Sequence, residues 1–191
     1  MRIIYLILSL CILAILINSC KTNISLNNNR QNNWAKKEEL KGLYNLYKID
    51  ANLYRSEQPD KVDMTTLKQY GINTIINLRH TRTDKHEAKN VKLNLVHIPI
   101  NTWTISYDEI VNSIVAINIA KKPVLIHCLH GSDRTGCIAA AYRMTNCGWT
   151  KEEAIKEFLE GGFGYHEKWF PNILELINSI DVEKLKQDIK K

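Results

Sequence analysis

Cys128 and Arg134 are separated by five residues, Leu129, His130, Gly131, Ser132 and Asp133, with His127 directly before the pair and Thr135 directly after it. A cysteine thiolate is a strong nucleophile, and an arginine can close a planar, two-pronged grip on two oxygens of a phosphate. The apolar, β-branched run Val124, Leu125, Ile126 behind Pro123 predicts a buried strand. From Gly136 onward, Cys137, Ile138, Ala139, Ala140 and Ala141 predict a helix. A strand, a tight polar loop and a helix together form an oxyanion cradle. The N–H groups of Leu129, His130, Gly131 and Ser132 converge on one point, and the helix N-terminus adds about half a positive charge. The same field favours the thiolate of Cys128.

The pattern His127-Cys128-x5-Arg134-Thr135 resembles the cysteine-dependent protein tyrosine and dual-specificity phosphatases. The resemblance implies an α/β domain with a central, mostly parallel sheet flanked by helices. It implies a phosphocysteine intermediate on Cys128, transition-state binding by Arg134 and a Thr135 hydroxyl that eases departure of the thiolate. It assigns His127 to shaping the loop and favouring the thiolate, and calls for no cofactor and no metal. Leu53-Tyr54-Arg55-Ser56-Glu57-Gln58-Pro59, Gly148-Trp149-Thr150-Lys151-Glu152-Glu153-Ala154-Ile155 and the Gly161-Gly162-Phe163-Gly164-Tyr165-His166 turn also resemble members of this family, the last two its exported bacterial members. Arg55 is either a second phosphate-binding cation or a surface ion-pairing residue.

The proton donor departs from the family pattern. The place the family gives to an aspartate falls near Asn101-Thr102-Trp103, none of which can release a proton usefully. Asp108 is the nearest acid, although Ser106 to Glu109 is also ordinary helix-start chemistry. Asp133 is its rival: a loop ending in Ser132-Asp133-Arg134-Thr135 resembles those of myotubularin-like lipid phosphatases and of some secreted bacterial phosphatases that accept phosphoinositides. Arg134 beside it favours its ionised form, and a loop-bracing role is the alternative. Good leaving groups need no acid at all.

The chain has 191 residues, 26 basic against 20 acidic, with 45% hydrophobic residues, enough for one core. The +6 charge is spread out and carries no base-stacking motif, so it excludes a nucleic-acid footprint and suits anionic substrates. Residues 1–19 read as a signal peptide, with Arg2 before an apolar stretch short for a membrane span. Ile17-Asn18-Ser19-Cys20 resembles a bacterial lipobox, which implies an exported lipoprotein held to a membrane by acyl chains on Cys20. Residues 20–42 are Asn-rich and read as a disordered tether in which Trp34 alone is large enough to dock back, leaving 43–191 as the domain. Cys128, Cys137 and Cys147 then remain, an odd number that implies no disulfide framework, and Cys137 and Cys147 read as packing residues.

Within the domain, short strands flank the Asp50-Ala51-Asn52 turn, and a helix over residues 60–70 stops at Gly71. A buried strand over 72–78 delivers Arg79, His80 and Arg82 to a loop placed to meet an anion. Another apolar strand covers 93–98 with Pro99 closing it, and a helix over 107–120 precedes the catalytic strand. After the catalytic helix come a helix opened by the Thr150-to-Glu153 capping box, a glycine turn that either packs Phe163 and Trp169 or presents His166 to the pocket, a helix from Pro171, and a charged amphipathic tail. Protein phosphotyrosine or phosphoserine, phosphoinositides and inositol phosphates all remain open as substrates, with Arg55, Arg79, Arg82 and the Asp133-Arg134 pair leaning towards polyanions. A phosphate-binding pseudophosphatase and a rhodanese-like sulfur carrier are the rival classes.

Overall fold

A computed structural model describes residues 31–40 and 42–191. The signal-peptide and lipobox readings, Cys20 included, lie outside those residues. No helix among the described residues is long and apolar enough to cross a membrane.

The strands are β1 (Lys36–Lys37), β2 (Tyr47–Lys48), β3 (Leu53–Ser56), β4 (Thr74–Arg79), β5 (Asn94–Ile100) and β6 (Val124–His127). The helices are α1 (Lys61–Tyr70), α2 (Tyr107–Ile119), α3 (Asp133–Asn146), α4 (Lys151–Glu160), α5 (Pro171–Ser179) and α6 (Val182–Asp188). The strands form one sheet in the order β1-β2-β3-β6-β4-β5. Strands β3, β6, β4 and β5 run parallel, and β1 and β2 extend the sheet antiparallel beyond β3. The sheet is thus mostly parallel with helices on both faces, as the resemblance implied.

Side-chain alternation assigns the faces. Ile76, Leu78, Val124 and Ile126 point into a core built with Ile110, Ile114, Ile138, Phe158, Ile173 and Leu185. Their neighbours Ile75 and Leu125 point the other way, onto Met64 and Leu67 of α1. Strand β6 lies between two parallel neighbours and is buried along its whole length.

Three differences from the sequence reading have physical causes. Strand β5 continues through Pro99 to Ile100, which an edge strand tolerates because a proline costs no ladder bond on its solvent side. Helix α3 begins at Asp133 rather than Gly136, so Asp133, Arg134 and Thr135 occupy its first turn. The third difference is the tether. Trp34 and Ala35 are 4% and 1% exposed, and β1 pairs with β2, so the folded unit starts at Gln31 rather than residue 43. A buried ion pair fixes this segment. Arg143 grips Glu157 through Nε and Nη2, both at 2.8 Å, while Glu157 also accepts from the Ala35 N–H and Arg143 donates to the Asn33 carbonyl. Composition marked the segment polar, but one apolar residue with a buried acceptor behind it suffices to order it. The carboxy-terminal tail is likewise a packed helix, with Leu185 fully buried.

Candidate active site

The first turn of α3 is built differently from the helix starts around it. Helices α1, α2 and α4 each open with a capping box, whereas Ser132 ahead of α3 makes no side-chain cap. No backbone carbonyl among the described residues accepts from the N–H groups of residues 129–134. Unpaired N–H donors at a helix start, together with the helix dipole, suit an anion. Cys128 stands at the base of the loop, 1% exposed, directly after the fully buried β6. Gly131 has φ +70°, and a Cβ there would sit 2.4 Å from the Ser56 carbonyl oxygen, so the loop requires glycine.

Arg134 lines a cavity of about 300 Å³ together with Thr102, Leu129, His130, Asp133, His166, Trp169 and Phe170. Its Nη1 donates to the Ile100 carbonyl at 3.4 Å, and its Nε is buried without a protein partner. A buried guanidinium nitrogen without an acceptor is the donor an oxyanion would satisfy. The Thr135 hydroxyl is likewise buried without a partner. Cys128 through Thr135 thus form one strand-loop-helix segment, of which Leu129, His130, Asp133 and Arg134 line the cavity.

Arg55 is not the surface ion-pairing residue, and it lies under the loop rather than among the residues lining the cavity. It is 2% exposed, donates through Nη2 to the Gly131 carbonyl at 2.6 Å and stacks on the Phe163 ring at 3.8 Å. Burial pushes its pKa down to about 10, with Glu157 and Cys128 opposing that shift. It braces the cradle from beneath because β3 is adjacent to β6 and all four of its residues are buried. Arg79 does lie near the site. Burial, then the charges of Arg82 and Arg134, lower its pKa, with Cys128 acting in the opposite sense, and its Nη1 donates to Gln58. Arg82 is engaged with Glu87 instead.

The two candidate acids separate. Asp108 is an exposed residue in the first turn of α2 and is not among those lining the cavity. Asp133 is 5% exposed and lines it, but its carboxylate accepts from the His166 backbone N–H at 3.0 Å and contacts His166 Nδ1 at 3.0 and 3.1 Å. The glycine turn buries Phe163 but not Trp169, which is 67% exposed and lines the cavity together with His166. Ligand-capable atoms of His130, Asp133 and His166 lie within 4.8 Å of one another, the one group among the described residues able to take a metal ion.

Residues 53–180 match the family described as dual specificity phosphatase, catalytic domain. The chain belongs to this family. It is 31% identical over 122 residues, 63% of its length, to the dual specificity protein phosphatase TpbA of Pseudomonas aeruginosa, and spans 56% of that protein. It is 26% identical over 152 residues to the inositol diphosphatase DSP3 of Arabidopsis thaliana, covering 75% of this chain and 73% of that one. A crystal structure of TpbA, as a cysteine-to-serine variant in complex with pTyr, superposes with a TM-score of 0.76 at 26% identity, covering 85% of this chain and 99% of that one.

Sequence reasoning missed a buried acid behind His127, next to Cys128, in this phosphatase-family domain. Asp84 is 3% exposed and accepts from His127 Nε2 at 2.8 Å, Asn77 at 2.9 Å and Gln58 at 3.0 Å. His127, fully buried, turns Nδ1 to the Cys128 carbonyl at 3.0 Å, so both of its ring nitrogens face acceptors. The only signal for Asp84 was an acid set among Arg79, His80, Arg82, Lys85 and His86, with Glu87 the other acid of that loop. Burial alone would raise its pKa, but the His127 hydrogen bond and charge, with donation from Gln58 and Asn77, hold it below the ordinary carboxylate range. A depressed native pKa stabilises the fold above the ordinary carboxylate range, and that contribution disappears as pH falls through the native value. Asp84→Asn is expected to destabilise the domain by about 3 kcal/mol at neutral pH by leaving half of a buried pair unmatched. In urea melts the gap from wild type should narrow at acid pH, and a gap constant with pH would dismiss the pairing.

Proposed function

We propose that this chain is a cysteine-dependent phosphomonoester phosphatase whose preferred substrate is an aryl phosphate, phosphotyrosine in a protein. Cys128 attacks phosphorus in line, the amides of residues 129–134 and the Arg134 guanidinium hold the equatorial oxygens, and water then cleaves the phosphocysteine. The carrying observation is the make-up of the cavity over the loop. Leu129, Trp169 and Phe170 wall it, and Trp103 packs edge-on against Phe170 with ring centroids 4.7 Å apart. Such walls suit a flat phenol ring better than an inositol ring carrying several phosphates.

The cations that had suggested a polyanion are largely committed elsewhere. Arg55 supports the Gly131 carbonyl and Arg82 pairs with Glu87, which leaves Arg79 and Arg134 near the site. A polyphosphorylated inositol would need more free positive charge than that. The lipobox-like Ile17-Asn18-Ser19-Cys20 supports an exported, membrane-anchored setting for the domain.

The test sets a phosphotyrosine peptide against a soluble phosphoinositide and an inositol polyphosphate at matched concentration. The expected result is kcat/KM at least about tenfold higher for the peptide, since one aromatic wall contact is worth about 1 kcal/mol or more. A preference for the inositol compounds would assign the cavity to that class of substrate instead.

A further inference from the structure

A phenol or alcohol leaving group is a poor one unless it is protonated as the P–O bond breaks. The loop ahead of α2, Asn101-Thr102-Trp103, supplies no acid, and Asp108 lies outside the cavity. Asp133 is inside, but its Oδ1 accepts from the His166 backbone N–H and both of its oxygens lie 3.0 to 3.1 Å from His166 Nδ1, so the carboxyl is turned to His166 rather than to the cavity's open space. That leaves the imidazole it holds. We infer that His166 is the proton donor to the leaving oxygen, with Asp133 as its positioning residue.

His166 Nδ1–H donates to the Asp133 carboxylate, and the His166 backbone N–H fixes that carboxylate from the same side. The tautomer and ring plane are thereby set, and Nε2 is the ring nitrogen without a protein partner among the described residues. The side chain is 45% exposed and lines the same cavity as Arg134, so it can reach a bound ester and exchange its proton with water. The charged and titratable groups facing it are Asp133 and Arg134 at the start of α3, and His130 on the loop, whose ring centroid is 5.6 Å away.

The step balances. The Cys128 sulfur bonds to phosphorus, the P–O bond breaks with its electron pair on oxygen, and that oxygen takes the Nε2 proton, leaving neutral His166 and the free phenol. In the second half, neutral His166 takes a proton from water as its oxygen attacks phosphorus. The P–S bond then breaks with its pair on sulfur, regenerating the thiolate, the imidazolium and inorganic phosphate.

The inference rests on the phosphatase reading, and the experiment separates the two. Wild type, His166→Asn, Asp133→Asn, His130→Asn and Asp108→Asn are compared on a phosphotyrosine peptide and on 2,4-dinitrophenyl phosphate, whose leaving group needs no proton. His166→Asn is expected to lose about 100-fold or more in kcat on the peptide but only a few-fold on the dinitrophenyl ester. Asp133→Asn, which retains the imidazole, should show the same leaving-group dependence to a smaller degree. Equal losses on both substrates, or a selective loss on the peptide that appears in Asp108→Asn or His130→Asn and not in His166→Asn, would overturn the assignment while leaving the phosphatase intact. Failure of wild type on both substrates would overturn the phosphatase reading itself.

Discussion

Cys128→Ser is expected to reduce phosphotyrosine turnover by roughly 10⁴-fold or more while leaving substrate binding within a few-fold of wild type. The expectation follows from a division of labour in the cradle. The sulfur forms the bond to phosphorus, whereas the amides of residues 129–134 and the Arg134 guanidinium hold the oxygens, and serine leaves those donors in place. A hydroxyl in that position is a far weaker nucleophile than a thiolate. Binding can be read as ligand-induced stabilisation, which amounts to about 2.7 kcal/mol at one hundred times Kd. Two measurements bear on the result: steady-state turnover, and the rise in melting temperature with phosphotyrosine. Turnover that persists would place the nucleophile elsewhere, and turnover lost together with binding would mean that the thiol shapes the cradle rather than attacks.

Arg134→Lys keeps the charge and is still expected to cost about 100- to 1,000-fold in kcat, with a much smaller change in KM. Arg134 has Nη1 on the Ile100 carbonyl and Nε buried without a partner, a fork with one prong tied to the sheet and the rest turned to the cavity. Lysine offers a point charge on a flexible stem and cannot reproduce two parallel bonds to the equatorial oxygens. Because those bonds strengthen as charge develops in the transition state, their loss belongs in kcat. A rise in KM that excess substrate overcomes would instead make Arg134 a simple electrostatic attractor.

The local chemistry of the cradle was legible because it is contiguous: the apolar run of β6, the glycine, the arginine and the helix lie within a single stretch of chain, and each constrains the next. Gly71, the Thr150-to-Glu153 capping box and the helix from Pro171 were legible for the same reason. What lies beneath and across from the cradle was not. Asp84 meets His127 across 43 residues, and Arg55 meets the Gly131 carbonyl across 76. Neither contact leaves a periodic or spacing signal, since both follow from the placing of β3 and β4 on either side of β6. The Asp133–His166 contact, 33 residues apart, escaped likewise, because a carboxylate beside an arginine suggests that arginine as its partner. The misplaced domain start has the same origin, as the acceptor that orders Ala35 belongs to Glu157.

The nucleophile and its guanidinium partner are mounted on parts of unequal firmness. Cys128 follows a strand clasped on both sides, whereas the carbonyl that steadies Arg134 belongs to Ile100, the buried last residue of an outermost strand whose earlier residues are largely open to solvent. Fraying begins at such margins, so warming would let the clamp wander while the sulfur stays seated. The domain would then fall silent before it melts, and would regain activity on cooling without having to refold its centre.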